Sequence, residues 1–389
     1  MKILHVIESL NLHSGGPPMI ATRLAAAQAS LGHQVRLAAH DTPGAADQID
    51  AALRPIPHFQ SVDLILIPRR PSWQELLGRG AAQMRSLVED AQVVHLHFSW
   101  ESLILVTGRL CRRMGRPYVV MLNGMLDPWS LAQSPWKKKA AMAAGHARML
   151  RGAAALHLGN RQEQRLIEPL RLGTAQAIIP NGVFVEEIEA LPDAGCFHAA
   201  HPQLQMRPFI LFMSRIHHKK GPDLLLEAFA AIADEFPTMQ LVVAGPDGGA
   251  VADVHRRAAD ARLSERVHVV GPIYGQQKLA ALVDCRLFCL PSRQEGFSMA
   301  ITEALGCGTP VVITEGCHFP EVAEAGAGEV VATDSGAVAE ALRRMLRDDA
   351  LRQRMSQAAR RLARERYTWP KIAEQTLAVY REALGRGSC

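Results

Sequence analysis

The sequence predicts two doubly wound α/β domains in tandem, and three observations carry that reading. Short apolar runs rich in β-branched residues alternate with amphipathic stretches of helical period, the pattern of βαβ units and parallel sheets. The series of runs stops once and then restarts. The 389 residues, 48% hydrophobic and 21% charged, match ordinary globular composition and hold material for more than one core. At roughly 100–200 residues per domain the length gives two domains or three.

The first series runs through 2–7 (KILHVI), 34–39, 63–67, 93–97 (VVHLH), 118–122 (YVVML), 154–158 and 177–180. Helical stretches fall between most of these runs. One covers 18–31 and stops at Gly32, and another covers 72–90 with Ser72 as N-cap. The second series is 209–214 (FILFMS), 240–245, 267–271, 286–292 (RLFCLPS), 309–314 and 329–333, again with helices between. Residues 184–208 mix acids, Pro and Gly without a clear period and read as a linker between a 1–183 domain and a 209–366 domain. A last helix covers about 370–385.

Composition excludes several classes. No apolar run approaches the roughly 18 residues that span a bilayer, and the opening MKILHVIESL is too short for a signal-peptide core. Seven scattered cysteines, an odd number without a CxxC pair, indicate reduced thiols and a cytoplasmic protein. The net charge is only +5, yet residues 109–151 carry nine Lys and Arg against Asp127 alone. Such a field attracts phosphate groups, an acidic lipid surface or nucleic acid, although a solvated helical face has the same composition. Within it, Trp129, Trp136, Met142, Met149 and Leu150 accompany the cations. A helix over part of 129–151 could therefore rest on anionic lipid, or its apolar residues could belong to the core. RNP aromatics, zinc-finger spacing and a basic zipper are missing, which argues against nucleic acid.

Ligands of doubly wound sheets sit beyond the carboxyl ends of the strands, so the loops after the strands hold the candidate chemistry. Ser14-Gly15-Gly16-Pro17-Pro18 lies between the first strand and the first helix, where glycines let backbone N–H groups approach an anion. It fits neither GxGxxG nor a Walker A loop, and a surface turn would look the same. Ser214-Arg215-Ile216-His217-His218-Lys219-Lys220-Gly221 follows FILFM. Arg215 there offers a planar fork for phosphate oxygens, and Lys220 a second positive charge.

The most specific run is Glu295-Gly296-Phe297-Ser298-Met299-Ala300-Ile301-Thr302-Glu303. Its two carboxylates are separated by slightly more than two helical turns. A helix opening just after Glu295 would present the amides of Gly296, Phe297 and Ser298 to an anion, with Glu303 further along to accept hydrogen bonds from a diol. In the first half, His97 and Asp127 stand near strand ends as candidate acid/base groups, beside Asn123-Gly124 after YVVML. GxSxG, HExxH and DxD are absent, so neither a metal nor another cofactor is implied.

Together these motifs resemble the family-4 retaining glycosyltransferases of the two-domain GT-B fold, over nearly the whole chain. The resemblance rests on Gly15-Gly16, Leu31-Gly32-His33-Gln34-Val35, Ile179-Pro180-Asn181-Gly182-Val183, Ser214-Arg215 to Lys220-Gly221, and Val243-Ala244-Gly245. Above all it rests on Pro291-Ser292 through Glu295 and Glu303 to Ala304-Leu305-Gly306-Cys307-Gly308-Thr309-Pro310. The stretch Asn123 to Trp129 is similar to a subgroup that assembles bacterial surface polysaccharides.

The resemblance implies two Rossmann-like domains with parallel sheets facing across a cleft, and a final helix that returns to the first domain. It implies sugar transfer from a nucleotide-sugar donor to a glycan or lipid-linked acceptor, with retention of configuration and without a metal. Arg215 and Lys220 would neutralise the donor pyrophosphate and Glu303 would hold the ribose. Glu295 with Gly296, Phe297 and Ser298 would position the sugar, and Gly16 would approach the phosphate. It also implies an enzyme at the inner face of the plasma membrane. One position departs from the pattern: Asn123 stands where the family commonly has a histidine, and an amide carries no proton near neutral pH. A catalytically silent nucleotide-sugar-binding partner is the competing reading.

Overall fold

A computed structural model describes residues 1–10, 16–41, 44, 46–76 and 81–386, and its chain divides into two units. Unit 1 takes Met1–Asn181 together with Trp369–Cys389, and unit 2 takes Gly182–Thr368.

Unit 1 is built on β1 (Lys2–Val6), β2 (Gln34–His40), β3 (Val62–Ile67), β4 (Val93–His97), β5 (Tyr118–Met121), β6 (Ala155–Leu158) and β7 (Gln176–Ile178). They form a parallel sheet in the order β3-β2-β1-β4-β5-β6-β7. Unit 2 has β8 (Phe209–Met213), β9 (Gln240–Ala244), β10 (Val267–Gly271), β11 (Leu287–Leu290), β12 (Val311–Thr314) and β13 (Gly328–Val331), in the parallel order β10-β9-β8-β11-β12-β13. Each order reverses once, between β1 and β4 and between β8 and β11, and such a switch point leaves a crevice at the strand ends. The central strands read as unbroken apolar runs because helices bury both faces: every residue of FILFM in β8 and of LFCL in β11 is buried.

Several elements differ from the sequence reading. Of the stretch expected as one helix over 72–90, the described residues Ser72–Leu76 and Ala81–Asp90 are helical, and 77–80 lie outside the described residues. A helix over Ala46–Leu53 was not anticipated. Residues 184–208 are not a free linker. They carry short helices at Val185–Glu189 and Cys196–Ala200, and Phe197 and Leu204 are buried in the core of unit 2. One-turn helices anchored by single large residues leave no period to detect. The Trp369–Arg386 helix packs within unit 1 against the Gly16–Ser30 helix, with Trp369, Ile372 and Tyr380 fully buried.

Beneath those two helices lies an unusual polar layer. His5 on β1, His95 and His97 on β4, and His157 on β6 are all at most 1% exposed. Register brings them to one face: His5 pairs with His95, and Met121 of β5 links His97 to His157. The rings of His95 and His97 stack at 4.9 Å, and those of His5 and His95 at 5.1 Å. His5 Nδ1 and His97 Nε2 share a hydrogen bond of 3.0 Å, and His5 Nε2 bonds Gln28 Oε1 at 2.8 Å. Tyr380 OH bonds His95 Nδ1 and accepts from Gln28 Nε2.

Candidate functional site

In unit 2 the cationic loop after β8 is clamped to the loops after β9 and β11. Gly221 has φ 70°, and a Cβ on it would lie 2.0 Å from the carbonyl oxygen of Pro291. Gly245 has φ 143°, and a Cβ there would lie 1.9 Å from the carbonyl oxygen of Ser214. Only glycine permits both approaches. The Arg293 N–H donates to the Lys219 carbonyl at 2.8 Å, and the Arg293 guanidinium grips both oxygens of Asp223 at 2.8 and 2.7 Å. The loops following three adjacent strands thus form one rigid rim.

On that rim Lys220 and Glu295 meet. Lys220 Nζ donates to Glu295 Oε2 at 2.6 Å, and Ser292 Oγ donates to Oε1 at 2.7 Å. The Glu295 side chain is 6% exposed and the Lys220 side chain 22%, so the carboxylate is buried while the ammonium still reaches water. Arg215 is exposed and lies over Gly248 of the loop after β9, where a Cβ would come 2.9 Å from its Cγ. His217 records the local field: burial, then the charges of Arg215, His218, Lys219 and Lys220, pushes its imidazole below the ordinary value.

The helix after β11 starts later than its sequence suggests. It spans Met299–Cys307, with Ser298 as N-cap at φ −91°, ψ 111°. Gly296, Phe297 and Ser298 therefore precede the helix instead of forming its first turn, and Glu295 is not on the helix at all. A capping side chain competes for the first-turn amides and sets the start. Phe297 packs against Phe319 at 5.3 Å, and Gly296 faces open space. Glu303, on the second turn, accepts from Lys278 Nζ at 2.6 Å. Lys278, bonded to an expected site residue, had no local signal, since that pairing is made by the fold, whereas Ser292 stands three residues before Glu295 in the motif itself.

In unit 1, Gly16 is the first residue of the Gly16–Ser30 helix, whereas Gly15 lies outside the described residues. Asn123 and Gly124 follow β5 with φ 52° and 72°. The Asn123 Nδ2 group is buried and finds no hydrogen-bond partner. His97 is one ring of the buried histidine layer. Asp127 is occupied as the N-cap of the Pro128–Ala132 helix, accepting from the Ser130 N–H. The basic 129–151 stretch is not one regular helix: Pro128–Ala132 is separated from Pro135–Ala141 by residues 133–134, and the latter runs through a π-helical turn over Met142–His146, kinked at Gly145, into Ala147–Arg151. Met149 and Leu150 are buried in the core, while Trp129 and Trp136 are 47% and 79% exposed. Among the described residues, no helix is long and apolar enough to cross a membrane, and no three His, Cys, Asp or Glu side chains are grouped to hold a metal.

Two Rossmann-like units with parallel sheets of seven and six strands define the GT-B fold. The chain belongs to the group 1, family-4-like glycosyltransferases: the Glycosyl transferases group 1 model matches residues 197–362, and the Glycosyl transferase 4-like domain matches 15–182. The phosphatidyl-myo-inositol mannosyltransferase of Mycobacterium leprae is 32% identical over 221 residues, 56% of each chain. The chain thus spans about half the length of the curated relatives matched in this way. D-inositol 3-phosphate glycosyltransferase 1 of Catenulispora acidiphila is 29% identical over 350 residues, covering 84% of this chain and 80% of its own. HepE from Anabaena, solved in complex with UDP, superposes with a TM-score of 0.77 at 19% identity over 98% of this chain and 100% of its own.

Proposed function

We propose that this chain transfers a sugar from a nucleotide-sugar donor to a glycan or lipid-linked acceptor, with retention of configuration, in bacterial surface polysaccharide assembly. The observation that carries the reading is the Lys220–Glu295 pair on the rim after β8 and β11, with Arg215 on the same loop as Lys220. In this reading Lys220 and Arg215 turn to the pyrophosphate of the donor and stabilise the departing nucleoside diphosphate. Cations preorganised where negative charge grows lower the barrier without a bound metal. Glu295, released from Lys220 and held by Ser292, orients the sugar together with Gly296, Phe297 and Ser298. Glu303 takes the ribose, and Gly16 and Asn123 are assigned further donor contacts. The names of the relatives, a mannosyltransferase and an inositol phosphate glycosyltransferase, support hexosyl transfer.

A thermal-shift series with UDP-, GDP- and ADP-sugars tests the donor. The matching nucleotide is expected to stabilise the protein by about 2.7 kcal/mol at 100-fold its dissociation constant. No shift with any of them would sink the reading. A shift without release of nucleoside diphosphate would instead favour a silent binding partner, the reading that Asn123 invites.

The acceptor side carries a second expectation. Exposed Trp136, with Lys139 Nζ 5.1 Å from its ring centroid, stands with exposed Lys137 on the Pro135–Ala141 helix, a surface suited to anionic lipid. Each cation near such a surface contributes about 1 kcal/mol. Flotation with anionic vesicles should retain the protein at low salt and release it at high salt, and Trp136→Ala should weaken retention. Equal, negligible binding to neutral and anionic vesicles would end the membrane assignment.

A further inference from the structure

Glu163 is a buried carboxylate without a part in the reading above. It lies in the first turn of the Arg161–Ile167 helix, directly after β6, and is 5% exposed. Asn160 caps that helix, its Oδ1 accepting from the Glu163 N–H at 2.8 Å. Asparagine followed three residues later by glutamate normally closes a reciprocal box, the acid returning to the N-cap amide. Glu163 bonds elsewhere. Its Oε2 accepts from the Gly159 N–H at 2.7 Å, and its Oε1 accepts from the Gly124 N–H at 2.6 Å, across from the loop after β5.

The Gly124 contact fixes an uncommon backbone. Asn123 and Gly124 are consecutive left-handed residues, closed by a Met125 N–H to Leu122 carbonyl bond of 3.0 Å, as in a type I′ turn. The N–H of the second central residue has no acceptor within such a turn, and Glu163 supplies one. Non-glycine residues seldom adopt a positive φ, and they hold it where the surroundings determine it. The same turn carries the buried, unpartnered Nδ2 of Asn123. Burial raises the Glu163 carboxyl above its ordinary value, the Asp127 charge adds to this, and the Gly159 and Gly124 amides oppose it. A charge kept under those conditions is held by the two donors facing it.

We propose that Glu163 is the positioning residue of the Asn123 turn: its carboxylate ties Gly124 to Gly159 and so holds the Asn123 amide as an unpaired donor for the sugar or phosphate of the nucleotide-sugar. The inference rests on the reading that Asn123 touches substrate. Two acceptor oxygens are needed, because two N–H groups converge on the side chain. Glu163→Gln keeps the shape but turns an NH2 group towards one of those amides.

The test is a double-mutant cycle read as release of nucleoside diphosphate from UDP-glucose, GDP-mannose and ADP-glucose, each offered to the full chain in turn, with donor affinity followed by thermal shift. Asn123→Ala is expected to slow release roughly tenfold or more. Glu163→Gln is expected to slow it to a similar degree, with donor affinity within threefold of the parent. The double variant should be no slower than the slower single variant, within threefold. A purely structural role would instead lower donor affinity and rate together and multiply the two effects. Parent-like release by Glu163→Gln, or multiplied effects in the double variant, overturns the inference while leaving Asn123 in the site. Parent-like release by Asn123→Ala overturns the Asn123 reading, and the inference with it. If the glutamine variant does not fold, Glu163→Asp takes its place. It keeps the charge but is one methylene short of spanning both amides, and the same non-additivity is expected.

Discussion

Arg215→Ala and Lys220→Ala are each expected to lower the rate of donor cleavage by roughly 100- to 1000-fold, the cost of removing one preorganised partner of a developing charge. Their effects on stability differ. Arg215 is exposed and takes part in no ion pair among the described residues, so its variant should melt with the parent. Lys220→Ala leaves the Glu295 carboxylate, 6% exposed, with the Ser292 hydroxyl but no cation. Breaking a buried pair costs about 3–5 kcal/mol, and the lower end is the ceiling here because Lys220 remains partly in water. Single-turnover release of nucleoside diphosphate and thermal melts separate the two effects. Rates within threefold of the parent for both variants would remove these residues from the site.

Acid should unfold unit 1 well above the carboxylate range. Burial holds His5 and His157 down to about 4, and His95 and His97 well below the ordinary value of 6.5. In the unfolded chain the same rings titrate near 6.5. Because the folded pKa values are depressed, the unfolded state binds more protons between about pH 6.5 and 4. Stability is therefore intact above that window and is lost as the pH falls through it. Each ring that stays neutral contributes a slope of about 1.4 kcal/mol per pH unit. Four together exceed what a marginally stable unit can lose over two units. Urea titrations from pH 7.5 to 5 should show the midpoint falling steeply below pH 6.5. His157→Gln, which preserves a donor for the 2.9 Å contact to the Ile179 carbonyl, should flatten the fall by about one proton. A midpoint constant across that range would mean the four rings titrate in the folded protein as they do in the unfolded chain.

The histidine layer also marks the limit of reading along the chain. VVHLH shows that His95 and His97 share one face of a strand, because side chains alternate. It does not show that His5 and His157, brought alongside by strand pairing, share that face too. His97 therefore looked like a lone acid/base candidate when it is one of a stack. The strands themselves were legible because parallel sheets buried on both sides demand continuous apolar runs. The start of the helix after Glu295 was not, since spacing alone counts turns without knowing that Ser298 caps. Its irregularity was visible, however, in the alternation of Phe297, Met299 and Ile301. Glu163 left a trace as well: Asn160 and Glu163 have the spacing of a capping pair. The sequence shows the box but not that the acid turns away from it. Lys278 left none, because its bond to Glu303 joins two helices that only the fold makes neighbours.

Unit 1 is assembled from two segments that flank unit 2, and this sets an order for synthesis. Unit 2 is one uninterrupted segment and has all its residues once Thr368 has left the ribosome. Unit 1 has made all seven strands long before, yet the buried Trp369 and Tyr380 emerge only after unit 2 is complete. Until they arrive, Gln28 and His95 lack their hydroxyl partner and the face of stacked imidazoles stands open to water. The usual sequence of events, with the leading domain folding first, is inverted: the leading domain waits for the trailing one. A nascent chain that stalls just after Thr368 would hold a finished unit 2 tethered to an unfinished unit 1.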